Sequence, residues 1–333
     1  MLYNKLLKVT GLVLLAFMGI VLFVASIVLG YTDTSWRIVK EALSGFDGSN
    51  AHLIVRELRI PRAITATLVG AALAVSGAVM QALTRNPMAS PGILGVNAGA
   101  GFFIVAGISF FGLQSSMNMV WLSFAGAIVA ALSVYGFAAV GREGITPLKL
   151  TLAGATIAAL FTSFITALLI GDEQTLDTVL FWLAGSVQGR SMEQIMTVLP
   201  FLLGGYIVVM FMGRTLNVFA VGEDIAKGLG QRIIQFQLLA LLIVVILAGS
   251  SVAIAGPIGF VGLIIPHIAR ALVGIDNRWV IPYCLLLGAI LLLAADLSAR
   301  FIAFPKEVPV GVMTALVGAP FFIYMARREL MTK

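Results

Sequence analysis

Charge is what this sequence has least of. Only 11% of its 333 residues are Asp, Glu, Lys or Arg, and 60% are hydrophobic. A soluble domain carries roughly 25% charged residues. Too little charge remains to cover a water-facing surface, so an integral membrane protein is predicted. There is one cysteine, Cys284, inside an apolar run, which excludes an intramolecular disulfide and leaves the redox compartment unreported. The two histidines, His52 and His267, share no ligand spacing, so no soft-metal site is expected. His267, next to Pro266, reads as a helix-end residue. No G-x-x-x-x-G-K-[ST] loop occurs, which excludes ATP binding of that kind. From Asn86 to Gly141 there is no charged residue, and Asp296 is the sole acidic candidate near a span. A charge at a helix centre costs about 2.5–3.5 kcal/mol on the insertion scale. An ion-coupled secondary carrier usually keeps several such groups for use, so their scarcity disfavours that class and assigns the energy source to another chain. The net charge of +6 does not point to nucleic acid, because the cations sit in loops between apolar runs.

What is present is apolar length. Ten predominantly apolar runs are long enough to span a bilayer: Val9–Gly30, Pro61–Thr84, Gly92–Phe111, Met117–Val140, Pro147–Ile170, Gln194–Gly213, Ile233–Ala255, Ile258–Val273, Trp279–Ala299 and Val308–Met325. The first follows Lys5 and Lys8 but is longer than a signal-peptide core and lacks a clear cleavage site, so it reads as a retained span. The eighth is short and is expected to be broken by Pro257 and Pro266. With the N-terminus inside, thirteen Lys and Arg fall on the cytoplasmic side and eight outside, in keeping with the positive-inside rule. Trp36, Trp121 and Trp182 then lie at the outer boundary and Trp279 at the inner one. The outer segment carrying Asp172, Glu173 and Asp177 continues into an apolar run too short to span, read as a half-helix at about 178–190. The inner segment, about 216–232, is either a short amphipathic helix starting near Glu223 and Asp224 or a solvated connector.

The stretch Arg59–Gly101 is the most informative. Gly70, Ala74, Gly77, Ala78 and Gln81 share one helical face. That stripe reads either as close helix packing or as a surface lining a pathway. Arg59 and Arg62, with Arg300 at the outer end of the ninth run, depart from the inward bias of the other cations. They are either interfacial arginines, Arg300 pairing with Asp296 one turn earlier, or a positive rim that captures an acidic partner. Leu-Val-Gly-Ala occurs at Leu68–Ala71 and again at Leu316–Ala319, a weak internal echo.

Several motifs occur together: R-I-P-R at Arg59–Arg62, L-V-G-A-A-L-A-V-S-G at Leu68–Gly77 and Q-A-L-T-R-N-P-M-A-S-P-G-I-L-G-V at Gln81–Val96. Further on stand G-x-D/E-x-A-x-x-L-G at Gly222–Gly230, G-P-I-G-F-V-G-L-I-I-P-H at Gly256–His267, A-D-L-S-A-R at Ala295–Arg300 and P-V-G-V-x-T-A-L-V-G-A-P-F-F at Pro309–Phe322. On these the chain resembles, over essentially its whole length, the permease subunits of ABC importers for iron chelates and cobalamin. The resemblance implies an all-α, polytopic fold of about ten transmembrane helices, the type II ABC importer permease fold. Residues 1–333 then form a single transmembrane domain in the cell membrane. It implies a second permease, homologous or identical, a cytoplasmic ATPase dimer and an extracytoplasmic siderophore-binding protein, with membrane lipid around the spans. No catalysis and no cofactor are expected of this chain. The cargo is expected to be a ferric siderophore, with cobalamin and haem as sister substrates.

The resemblance also assigns residues. Arg59, Arg62 and Arg300 match arginines that meet glutamates of the binding protein. Glu223, Asp224, Ala226, Gly228 and Gly230 match the cytoplasmic coupling helix. Asn86 and Met88 match the inner turn that narrows the path, which makes them gate candidates alongside Gln81. Thr151, Ala155, Thr162 and Thr166 place a small, weakly polar stripe on the fifth span. A hydrated chelate would slide past it, although such hydroxyls often only bond the preceding turn. A receptor or assembly protein without transport remains the third class.

Overall fold

The computed structural model describes residues 4–30, 34–140, 146–170, 182–303 and 306–331. Arg142, Asp172, Glu173, Asp177, Lys333 and the first part of the expected half-helix, residues 178–181, lie outside them. Every regular element among the described residues is helical. α1 (Lys5–Val28) is followed by the short α2 (Trp36–Ser44) and α3 (Asn50–Leu53). A π-helical stretch, Ile54–Arg59, runs into α4 (Ile60–Thr84), and a 3-10 turn, Pro91–Leu94, opens α5 (Val96–Phe111). Then come α6 (Ser116–Ala139), α7 (Pro147–Ile170), α8 (Met192–Val221), α9 (Glu223–Gly228), α10 (Ile233–Ala255), α11 (Val261–Val273), α12 (Asn277–Ile302) and α13 (Val310–Met331). Seven helical stretches are long and apolar enough to cross a membrane. Three shorter apolar ones, α5, α11 and Val310–Met325 of α13, lie where the other three spans were expected.

α4 is the axis of the bundle. Its apolar stretch is 83% buried within the chain, against 11% for α1, whose Val13, Leu14, Phe17 and Ile20 point outward. Small residues on α4 make this possible. A Cβ at Gly70 would stand 2.2 Å from the Gly288 carbonyl oxygen on α12, and one at Gly77 only 1.9 Å from that of Gly262 on α11. In lipid, such close backbone approach replaces the hydrophobic drive that water would supply. The stripe Gly70, Ala74, Gly77, Ala78 and Gln81 is buried throughout. It is a packing seam inside this chain, and the pathway alternative for it does not hold here. The two Leu-Val-Gly-Ala echoes both serve packing, since Gly318 lies under the Phe260 ring.

Four expectations are corrected. First, Pro266 does not break the eighth span, because α11 runs through it from Val261 to Val273. Proline removes the donor that would have satisfied the Gly262 carbonyl four residues back. The Gln81 amide of α4 donates to that carbonyl (3.4 Å) and to Leu263 (3.3 Å) instead. Second, α8 continues eight residues past Gly213 to Val221, because Phe219 is buried against Phe236. The inner segment is therefore largely helical before α9 begins.

Third, of the expected half-helix the described residues are helical only at Trp182 and Leu183, and residues 184–190 are turns and irregular chain. Gly185 and Gly189 have φ of 71° and 69°, which glycine tolerates and a helix does not. This backbone enters the bundle, with Ser186 N donating to Ala255 O (2.8 Å) and Gly311 N to Gly185 O (3.0 Å). Irregular chain at such depth is tolerated where protein satisfies it. Fourth, Trp182 is buried, not interfacial, whereas Trp36 and Trp121 are exposed.

Candidate functional site

Residues assigned from sequence to one side of the membrane come together at one end of the bundle. At the outer end, Arg59, Arg62, Arg300, Gln188, Gly189 and Glu307 line a cavity of about 280 Å³ with Gly30, Ile54 and Leu58. At the other end, Lys8 lies 5.7 Å over the Trp279 ring and Arg85 5.1 Å over Phe219. There Asn217 Nδ2 donates to Asp276 Oδ1 (2.6 Å) and Asn277 N donates to Asn217 Oδ1 (2.7 Å), which joins α8 to the start of α12. Hydrogen bonds from Arg278 and Asn217 outweigh partial burial and hold the Asp276 carboxyl below its ordinary range.

The three outer arginines are already engaged within the chain. Arg59 Nη1 donates to Ile27 O (2.9 Å), to Val28 O (2.6 Å) and to Thr34 Oγ1. Arg300 Nη1 donates to Ser26 O (2.7 Å) and Leu29 O (2.8 Å). Together these guanidiniums cap the last carbonyls of α1, where a helix lacks internal donors and its dipole favours a cation. Gly30 leaves room for this, because a Cβ there would lie 2.7 Å from Arg59 Nη2. Arg62 Nε donates to both Asp296 oxygens (2.9 and 3.1 Å) and Nη1 donates to Glu307 Oε2 (2.7 Å). Arg300 Nη2 donates to Asp296 Oδ2 (2.5 Å) and to Ser26 Oγ (2.7 Å). Asp296 is 1% exposed and Glu307 22%. The pairing of Arg300 with Asp296 one turn earlier is therefore present, and Asp296 also serves Arg62. Sequence reasoning missed Glu307, which lies 245 positions from Arg62 with no spacing signal to connect them. It also missed Ser26 and Thr34.

At the inner end, Arg85 takes a left-handed φ of 51° as the C-cap of α4. Asn86 is exposed, and its Oδ1 accepts from Met88 N (2.9 Å). Met88 and Pro87 close a cavity of about 10 Å³ against Leu263 and His267 of α11 and Phe321 and Met325 of α13. Gln81 stands apart from this turn. It is buried, bonded to the α11 carbonyls, and accepts from Arg270 Nη1 (2.6 Å), so it is a strut between α4 and α11. On α7, Thr162 and Thr166 are exposed and donate to Ala158 O (2.8 Å) and Thr162 O (3.0 Å). Ala155 is exposed and Thr151 half-buried on the same helix.

α9 is one short helix with a firm end. Gly230 has φ of 80°, its N–H donates to Lys227 O (2.9 Å), and Gln231 N donates to Ala226 O (2.9 Å). This is the paired closure of a Schellman motif. Ala226 is fully buried against the bundle, while Ile225 and Leu229 are exposed, and Asp224 and Gly228 face outward. Among the described residues no group of three or more His, Cys, Asp or Glu is placed to hold a metal ion.

The chain is 55% identical over 317 residues, 95% of each sequence, to the "Probable siderophore transport system permease protein YfiZ" of Bacillus subtilis. It is 41% identical to the ferric enterobactin transport system permease protein FepD of Escherichia coli, over 98% of this chain and 96% of that one. It is 38% identical to the cobalamin import system permease protein BtuC of Halobacterium salinarum, over 83% and 74%. A solved structure, described as a metal-chelate type ABC transporter in an inward-facing conformation, superposes with a TM-score of 0.84 at 29% identity, covering 96% of this chain and 99% of that chain. Residues 17–328 match the FecCD transport family, and a match of that extent, on a fold that superposes end to end, makes this chain a member of that family.

Proposed function

We propose that this chain is the permease subunit through which a ferric siderophore, delivered by an extracytoplasmic binding protein, crosses the membrane at the expense of ATP hydrolysed by separate subunits. The observation that carries the proposal is the 55% identity, over nearly the full length, to a relative named for siderophore transport. The chain is proposed to hold no cofactor and to catalyse nothing itself, acting beside a second permease that is identical or homologous.

Within this reading Arg59, Arg62 and Arg300 form the docking rim. Arginine pairs with carboxylates through two parallel hydrogen bonds, which sets orientation as well as affinity. The shared outer cavity supports this role. Glu223, Asp224, Ala226, Gly228 and Gly230 form the coupling helix. The outward Ile225 and Leu229 would seat in an ATPase groove, while buried Ala226 and the closed C-terminus make α9 a rigid lever. Asn86 and Met88, at the turn that meets α11 and α13, form the inner gate. The face of α7 with Thr151, Ala155, Thr162 and Thr166 lines the path, the Thr162 and Thr166 hydroxyls bonded to their own helix and so offering cargo little to hold. Gln81, placed among gate residues on sequence grounds, supports the gate from behind through α11.

The test is transport by the complex reconstituted in vesicles with iron-loaded binding protein. Uptake of ferric siderophore that requires ATP supports the proposal. Uptake by this chain without an ATPase would establish a secondary carrier instead. Competition by cobalamin or haem, and not by ferric siderophores, would move the cargo to a sister class.

A further inference from the structure

The docking arginines cannot be bare cations awaiting a partner, because Arg62 holds two carboxylates at once. The two differ in kind. Asp296 is fully enclosed and takes Nε and Nη2 of Arg62 while also holding Arg300. It is fixed, since removing it would strand buried guanidiniums without a counter-charge. Glu307 touches Arg62 at Nη1, is one of the residues that line the cavity, and is the more exposed of the two. It stands on the connection just ahead of α13, two residues before Pro309.

We propose that Glu307 is a displaceable internal counter-ion, holding Arg62 Nη1 in the undocked permease and giving way to a carboxylate of the binding protein on docking. The inference rests on the docking role given above to Arg62 and concerns how that same site is regulated. An exchange of one carboxylate for another leaves the number of charge-assisted bonds on Arg62 unchanged. Asp296 keeps the guanidinium in orientation throughout, so the incoming group meets a preorganised donor. Docking is then selective for an acidic side chain, because a neutral one would leave the guanidinium short of charge in a half-enclosed cavity. The exchange also reports to the bundle. Val308 N donates to Ala299 O (3.2 Å) and Gly311 N to Gly185 O (3.0 Å), so release of Glu307 loosens the side-chain tether at the entrance of α13 while these backbone ties remain.

The test uses the complete complex in lipid nanodiscs and, as probe, the iron-loaded binding protein recovered with it in mild detergent. Glu307→Gln keeps the shape and removes the competing charge, and Glu307→Ala removes the acceptor. Both are expected to tighten binding by about fivefold or more, mostly through slower dissociation. Weaker or unchanged binding in both, with the complex intact by size-exclusion chromatography, overturns the exchange and leaves Glu307 as a fixed strut. Arg62→Glu tests the reading beneath it. If Arg62→Glu binds as the parent does, the docking role itself fails. If it abolishes binding while the Glu307 variants change nothing, only the exchange fails.

Discussion

The crossing of α4 and α12 at Gly70 and Gly288 offers a direct test of what holds the bundle together. Each glycine faces the carbonyl oxygen of the other, and a Cβ on either would stand 2.2 Å from it. Ordinary van der Waals contact begins near 3.4 Å, so Gly70→Ala needs roughly 1.2 Å of separation, by difference of those distances. The obstacle is backbone on both sides, and Leu292 Cβ stands 2.8 Å away, so no side chain can rotate clear. Overpacking of this kind costs about 1–3 kcal/mol or more. Its effect spreads, because α12 carries Asp296 two turns further on and α4 carries Arg62. Gly288→Ala is expected to cost a similar amount. The double variant is expected to cost clearly less than the sum, since one separation of the helices relieves both contacts. Gly136 on α6 is the control: nothing lies within 4 Å of its added Cβ, and Ala there improves helix propensity by up to about 1 kcal/mol. The assay is thermal unfolding of the purified chain in one detergent, followed by tryptophan fluorescence. If Gly70→Ala melts with Gly136→Ala, close backbone approach is not what stabilises this crossing and the reasoning is wrong.

Other outcomes follow from the same structure. Asp296→Asn removes the shared counter-charge of Arg62 and Arg300 and is expected to destabilise by about 3–5 kcal/mol; a melting temperature within error of the parent would show the cluster to be inert. Leu229→Asp on α9 is expected to leave folding intact, because the side chain is 69% exposed, and to uncouple ATPase activity from transport; full stimulation by loaded binding protein would remove α9 from the coupling role. The Asp276 carboxyl is held below its ordinary value of 3.8, so its stabilisation is complete above that pH and is lost as pH falls through the lower folded value. The parent is therefore expected to out-melt Asp276→Asn at neutral pH and to converge with it in acid. A constant difference across the titration counts against the charge of Asp276 as the cause.

Much of this protein was legible in residue order alone. Scarcity of charge and ten apolar runs determine a helical membrane protein, because hydrocarbon leaves backbone polar groups no partner except their own helix. The alternation of Lys and Arg between loops sorted the residues into two ends, and the structure gathers Arg59, Arg62 and Arg300 at one and Lys8, Arg85 and Asp276 at the other. Helix ends were less legible. The extension of α8 to Val221 depends on Phe219 finding Phe236, and the continuity of α11 through Pro266 depends on an amide from Gln81, 181 residues away from the carbonyl it serves. Neither contact leaves a local pattern. Only the tertiary structure decided that the Gly70–Gln81 stripe is a seam and not a channel wall, since a row of small residues suits both and what faces it settles the matter. The same holds for the outer rim. Three arginines announce attraction to anions, but only their folded neighbours reveal that Asp296 and Glu307 already answer it, one sealed in and one at the door.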